Sequence, residues 1–79
     1  MDNLNSRILI ALFDLSQLDQ RASVTALAER LGCPRRDVAE ALNGLDGRGL
    51  VRSETVRLTF LGLARAAGLR AKLGQILAA

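Results

Sequence analysis

Residues 23–46, SVTALAERLGCPRRDVAEALNGLD, form the stretch that decides the fold predicted for this chain of 79 residues. Ser23 can cap a short helix over residues 24–31, because its hydroxyl can accept a hydrogen bond from a free amide of the first turn. Gly32 suits the left-handed conformation that closes a helix, and Pro34 suits the first turn of the next one. The stretch therefore predicts two helices joined by a turn of three residues.

The second helix of this pair, expected over about residues 34–46, has its apolar positions on one face. Val38, Leu42 and Leu45, with Ala41 beside them, recur at helical spacing and are predicted to face a core. Gly47 and Gly49 are expected to break the helix. The positions predicted to point away from the core are Arg36, Ala39, Glu40, Asn43 and Gly47.

A first helix is expected to begin after a cap at Asp2 or Asn3 and to run to about Leu18. Its apolar residues fall on two faces, so one face can pack on the domain while the other is left for a partner. Leu9 and Phe13 lie roughly opposite a face that consists of Leu4, Ile8, Ala11, Leu12 and Leu15.

Two short β-prone runs, residues 50–52 and 55–58, follow the central helices and predict a tight hairpin around Ser53 and Glu54. Thr59 can then cap a last helix that runs to about Leu77. This helix has a face of mainly small residues, which are Phe60, Leu63, Ala64, Ala67 and Ala71. It also has a bulkier face, which consists of Leu69, Leu73, Ile76 and Leu77.

The amino-acid composition limits the kinds of metal, cofactor and catalytic site that the chain is expected to form. The chain has one cysteine, Cys33, and no histidine, so a thiolate-cage zinc site in one chain is excluded and no cofactor is expected. It has no Gly-rich phosphate loop and no paired acids, so we expect no enzyme. The start lacks the features of a secretory signal, and no apolar run approaches the ~20 residues that span a bilayer. We therefore expect a cytoplasmic protein.

The order of elements resembles the winged helix-turn-helix domain of the MarR-like and ArsR-like bacterial transcriptional regulators. Four segments carry the likeness, which covers about residues 7–62. They are residues 27–32 (LAERLG) for the second helix and turn, the apolar side of the third helix at Val38, Leu42 and Leu45, residues 49–51 (GLV) for the entry into the wing, and residues 57–59 with Gly62 for its exit. The resemblance implies a single domain over residues 1–79 that is mainly α with a small β-hairpin. Its parts are a helix-turn-helix at about 24–46, a wing at about 50–58 and an added C-terminal dimerisation helix at about 60–77.

This resemblance implies a sequence-specific regulator that binds double-stranded DNA with its third helix in the major groove, and the second apolar faces of the first and last helices predict that it does so as a homodimer. The expected DNA-binding residues are Arg35, Arg36, Ala39, Asn43, Arg52 and Arg57. The expected dimer interface consists of Leu9, Phe13, Leu69, Leu73, Ile76 and Leu77. The alternative is a winged-helix module that binds another protein in a regulatory or signalling assembly, because winged helices also serve that purpose. Glu40, Gly44 and the short hairpin favour this alternative.

Several residues in or just before the predicted third helix allow more than one interpretation. Arg35 and Arg36 either contact DNA or stand at a solvated helix start, where positive charge is mildly unfavourable. Glu40 either pairs with Arg36 or accepts a hydrogen bond from cytosine, and Asn43 could read adenine. Cys33 could act as an oxidation sensor, and an inert thiol is the alternative.

The basic residues of the last third of the chain are also open to two readings. Residues 55–79 carry three arginines and a lysine and no acid, within a net charge of +3. Arg52 and Arg57 either clamp phosphates or protect an exposed strand edge. Arg65, Arg70 and Lys72 either attract a membrane or acidic partners, or they flank a dimer seam. The lack of tryptophan argues against a membrane.

Overall fold

The computed structural model describes the backbone of residues 4–78 and the side chains of residues 4–72. Its elements in chain order are α1 (Leu4–Gln17), α2 (Val24–Leu31), α3 (Arg35–Gly47), β1 (Val51–Arg52), β2 (Arg57–Leu58) and α4 (Phe60–Ala78). This part of the chain is mainly helical with one antiparallel hairpin, which confirms the predicted class at that level. The predicted caps Asp2 and Asn3 lie outside the described residues.

The turn between α2 and α3 has the predicted length of three residues. The Oγ of Ser23 accepts from the amide of Ala26 at 3.0 Å, and Gly32 closes α2 with a φ of 68°. Pro34 is extended rather than helical and lies just before the first residue of α3. The guanidinium of Arg7 on α1 donates to the carbonyl of Leu31 at 2.8 Å, so an orphan carbonyl at the end of α2 has a partner.

The core is built by all four helices together with β1, and every buried side chain in it is apolar. The predicted inward face of α3 is confirmed, because Val38, Leu42 and Leu45 are buried. The first apolar face of α1 also lies inward, and Leu9 joins it with an exposure of 3%. Within residues 4–72, the buried apolar side chains of the core are Ile8, Leu9, Ala11, Leu12, Leu15, Leu27, Ala28, Val38, Leu42, Leu45, Val51 and Ala66.

Helix α4 packs mainly on α1, and it does so through the side that carries Gly62, Ala66 and Leu69, the last of which belongs to the predicted bulkier face. Gly62 and Ala66 are buried and Leu69 is partly buried against the core. The Oγ1 of Thr59 accepts from the amide of Gly62 at 3.0 Å, which confirms the predicted cap. The face of mainly small residues lies on the opposite side of the helix and points outward. Gly62 and Ala66 have little or no side chain, which allows α4 to approach its neighbours closely.

The hairpin differs from the prediction in the length of its turn. Val51 pairs with Leu58 and Arg52 pairs with Arg57, so four residues, 53–56, connect the strands instead of two. Val56 has a φ of 51°, a left-handed conformation that a β-branched residue rarely adopts. The longer turn is therefore shaped by a backbone conformation that propensity does not favour.

The end of α3 also differs from the prediction. Gly47 belongs to the helix and does not break it. The chain turns at Arg48 and Gly49, and Gly49 has a φ of 77°, which glycine adopts at no steric cost.

Among the described residues, no helix combines the length and the apolar character needed to cross a bilayer.

Candidate nucleic-acid interface

The first turn of α3 presents two arginines to solvent. Val38 is fully buried, whereas Arg35, Arg36 and Asp37, which precede it in the first turn, are all exposed. The Nε of Arg36 lies 3.8 Å from Oε1 of Glu40, and the two side chains are 87% and 72% exposed. Ion pairs this exposed contribute little, so Arg36 is not held by Glu40. Both arginines can reach an anion outside the chain.

The rest of the outward face of α3 offers few long polar side chains. Asn43 is exposed with the small residues Gly44 and Gly47, and Ala39 is half-buried. The helix carries two arginines and three acids, which are Asp37, Glu40 and Asp46. Its positive charge is therefore concentrated at the N-terminal end, and any contact with polyanions is expected there.

The hairpin places two further arginines directly opposite each other. Arg52 and Arg57 are register partners on β1 and β2 and both are exposed. Val51 is buried and Leu58 is half-buried, so the apolar pair faces the core and the arginine pair faces outward. Like charges in direct register destabilise a strand pair. The outward side of the hairpin is therefore a site at which a bound anion would relieve repulsion.

The end of α3 is bonded to the start of the hairpin turn. Oδ2 of Asp46 accepts from the amide of Ser53 at 2.8 Å and from its hydroxyl at 2.8 Å. The backbone hydrogen bond from Ser53 lowers the pKa of Asp46 below its ordinary value, and the Ser53 hydroxyl and the charge of Arg52 act in the same direction. The carboxylate of α3 therefore helps to position the strand that carries Arg52.

The other end of the hairpin is bonded to the start of α4. The Oγ1 of Thr59 donates to the carbonyl of Gly49 at 2.6 Å, and the Thr59 amide donates to the carbonyl of Leu50 at 3.1 Å. A Cβ on Gly62 would lie 1.7 Å from the oxygen of Leu50, which is far inside van der Waals contact. The absence of a side chain at Gly62 therefore allows α4 to approach the hairpin.

The residues predicted for a dimer interface lie in different environments. Leu9 is 3% exposed, and Phe13 and Leu69 are half-buried and packed against the core. The side chains of Leu73, Ile76 and Leu77 lie outside the described residues. The fold of one chain thus leaves little of Leu9, and only parts of Phe13 and Leu69, for a partner.

Two features of the site region were not predicted from the sequence. One is the bond from Asp46 to Ser53, which depends on where the hairpin packs. The other is Asp14, whose carboxylate lies 3.9 Å from Nη2 of Arg30 on α2 and 3.4 Å from Nε of Arg70 on α4. Asp14 thus links three helices, and Arg70 is engaged within the chain.

Cys33 is half-buried against the core.

Comparison of the chain with known protein families, with characterised proteins and with solved structures gives no match.

Proposed function

We propose that this chain is a winged helix-turn-helix domain that binds double-stranded DNA. In this proposal α3 enters the major groove by its N-terminal turn, with Arg35 and Arg36 at base edges or phosphates, and the hairpin is the wing. Arg52 and Arg57 contact the neighbouring backbone. The observation that carries the proposal is the direct register of these two exposed arginines, because two like charges placed opposite each other do not stabilise the strand pair.

The hydrogen bonds that connect α3, the hairpin and α4 support this proposal. Proteins that bind DNA need their cationic groups at fixed separations, because phosphate contacts set register and orientation. Asp46 ties the end of α3 to the turn through Ser53, and Thr59 ties the hairpin to α4. The helix and hairpin that carry the four arginines are therefore held in one arrangement before any ligand binds, which reduces the cost of ordering them.

Pairing of two copies on adjacent half-sites stays a prediction of the sequence analysis. One chain already carries both the α3 arginines and the hairpin arginines, so DNA binding as such does not require a dimer. A dimer would double the number of phosphate contacts, and it would be seen as a second step in a binding curve or as a steeper dependence of the affinity on salt.

The proposal is tested with a fluorescent duplex of random sequence at low salt. The double variant Arg52→Gln with Arg57→Gln is expected to bind at least about tenfold more weakly, because two phosphate contacts are lost. The matched control is Arg65→Gln with Lys72→Gln, which removes the same charge from α4 and is expected to change the affinity much less. Equal losses in the two double variants would contradict a site on the hairpin.

The alternative raised from the sequence, a module that binds only proteins, makes the opposite prediction for the same variants. It requires that the wild-type chain shows no salt-dependent affinity for duplex DNA, and that the hairpin arginines can be replaced without effect.

A further inference from the structure

The solvent side of α4 exposes large apolar side chains that the DNA-binding proposal does not use. Phe60 is 90% exposed, Leu61 59% and Leu63 38%. Among the described residues only Leu18 is a further exposed large apolar side chain. Three such side chains within one helical turn are unusual for an isolated domain, because scattered single ones are the norm.

The apolar surface continues along the same side of the helix. Ala64, Ala67 and Ala71 follow Phe60 at spacings of four, three and four residues, so they share its face. Ala64 and Ala71 are exposed and Ala67 is half-buried. We call Phe60, Leu61, Leu63, Ala64, Ala67 and Ala71 the outer face of α4. This face bears no charged residue, and it lies opposite the side formed by Gly62 and Ala66 that packs on the domain.

The charges beside the outer face are all positive. Arg65 and Lys72 flank it on one edge and both are exposed, and within the described part of the chain no acidic partner lies within ion-pair distance of either. Arg70 lies on the other edge, where Asp14 accounts for its charge. No acid occurs in the sequence after Glu54. The outer face is therefore an apolar strip with a free cationic border.

A groove of about 820 Å³ adjoins this face, and it extends the same chemistry. Leu63 lines it together with the α1–α2 connection and the hairpin. Arg21 and Arg57 also line the groove, with Asp19 as the one acid. A side chain that enters the groove from a partner thus meets both apolar and polar side chains, with one positive charge in excess.

We infer that the outer face of α4 docks an amphipathic helix of another protein that has an apolar stripe bordered by acidic residues. The small residues Ala64, Ala67 and Ala71 allow a second helix to approach closely, while Phe60 and Leu63 supply the larger apolar contacts. Glutamate or aspartate along the partner's stripe pairs with Arg65 and Lys72. The residues of the outer face, with Arg65 and Lys72, lie outside the proposed DNA site, and Arg57 in the adjoining groove is the one residue that the two proposals share.

A second copy of the chain fits this face less well. In a symmetric antiparallel pair the edge that carries Arg65 and Lys72 meets the same edge of the other copy, and in a parallel pair it meets the edge that carries Arg70. The antiparallel arrangement brings the unpaired cations of the two copies together, and the parallel one sets them against Arg70, which Asp14 already engages, so neither supplies an unpaired acid. An acidic partner instead forms favourable charge pairs with Arg65 and Lys72. Such electrostatic complementarity favours specific association.

The test is a selection from a display library of helical peptides, in which the apolar stripe is fixed and the flanking positions are random. The expected result is enrichment of Asp and Glu at the flanks. Binding of the best peptide to the full chain is then measured by fluorescence anisotropy. Ala64→Gln is expected to weaken binding at least tenfold, Arg65→Glu several-fold, and higher salt is expected to weaken it further.

The control is Ala26→Gln, which places the same side chain at an exposed alanine of α2 and is expected to leave peptide binding unchanged. Circular dichroism confirms that each variant folds, since both alanines are exposed. Three results would overturn the inference: no acidic enrichment, equal binding by the Ala64→Gln variant, or light scattering that shows self-association of the wild type lost in that variant. The last would assign the face to a second copy.

Discussion

The carboxylate of Asp46 accepts two hydrogen bonds from Ser53, one from its amide and one from its hydroxyl, each of 2.8 Å. Through this relationship the last turn of α3 holds the first residue of the hairpin turn. These bonds add a side-chain link between the two elements that carry the proposed DNA contacts, beside the backbone bond of 3.0 Å from the Leu50 amide to the Leu45 carbonyl. The position of the hairpin turn should therefore depend in part on the ionisation of Asp46.

Acidification should loosen the hairpin. The hydrogen bonds from Ser53 lower the pKa of Asp46 in the folded chain, so its contribution is fully present above the ordinary aspartate value of about 3.9. The contribution is lost as the pH falls through the lowered pKa. Urea unfolding at several pH values should therefore show a larger loss of stability below about pH 4 for the wild type than for Asp46→Asn. Parallel pH profiles of the two proteins would show that the bond is not formed.

Gly62→Ala should destabilise the fold although alanine is the better helix former. The added Cβ would lie 1.7 Å from the carbonyl oxygen of Leu50, so either the hairpin or α4 must move. Such overpacking costs about 1–3 kcal/mol, which exceeds the gain of about 1 kcal/mol in helix propensity. The measurement is the free energy of unfolding in urea.

Gly68→Ala on the same helix is the matched control. No atom lies within 4 Å of its added Cβ, so the propensity gain is unopposed and the variant should be more stable by up to about 1 kcal/mol. If both glycine variants gained stability, the close approach of α4 to Leu50 would be refuted.

The α3 arginines and Glu40 should affect DNA affinity in opposite directions. Arg36→Glu is expected to weaken duplex binding by about tenfold or more, since a phosphate or base contact becomes a repulsion. Glu40→Gln is expected to strengthen binding a few-fold, because it removes an acid from the face that approaches the DNA. Anisotropy titrations measure both.

Arg65→Glu makes the same change in net charge on α4 and serves as the control for Arg36→Glu. Its effect on DNA affinity should be small. If Arg65→Glu weakened binding as much as Arg36→Glu, affinity would follow net charge and the assignment of a site to α3 would fail.

The hairpin arginines should be unfavourable for stability and favourable for binding. Arg57→Gln removes a like charge that lies directly opposite Arg52, so the chain should become more stable by a few tenths of a kcal/mol. The same variant should lose affinity for DNA, and its plot of log affinity against log salt should be less steep by about 0.9. Thermal unfolding and salt titration together test this. A destabilised variant with unchanged DNA affinity would assign a structural role to the pair.

The two central helices and the three-residue turn between them could be predicted because each of their signals is local. The cap at Ser23, the left-handed Gly32 and the buried Val38, Leu42 and Leu45 depend on side chains within a few residues of one another. These features were confirmed together with the cap at Thr59. The functional assignments of Arg35, Arg36, Ala39 and Asn43 stay predictions, and Ala39 is half-buried rather than fully outward.

The remaining features depend on contacts between distant segments. The turn of four residues in the hairpin requires Asp46 seven positions upstream and a left-handed Val56, neither of which propensity indicates. Which of the two apolar faces of α4 packs inward depends on how closely Gly62 can approach Leu50. The bulkier face was expected to remain for a partner, whereas Leu69 on that face packs against the core.

The central claim is that Arg35, Arg36, Arg52 and Arg57 bind the phosphates of a DNA duplex, and the salt dependence of binding tests it most directly. With one phosphate neutralised by each arginine, anisotropy titrations over about 25–200 mM salt should give a log–log slope near −3.6 for one chain, and about twice that for two chains. No binding at the lowest salt, or a slope that is unchanged when all four arginines are replaced by glutamine, would contradict it.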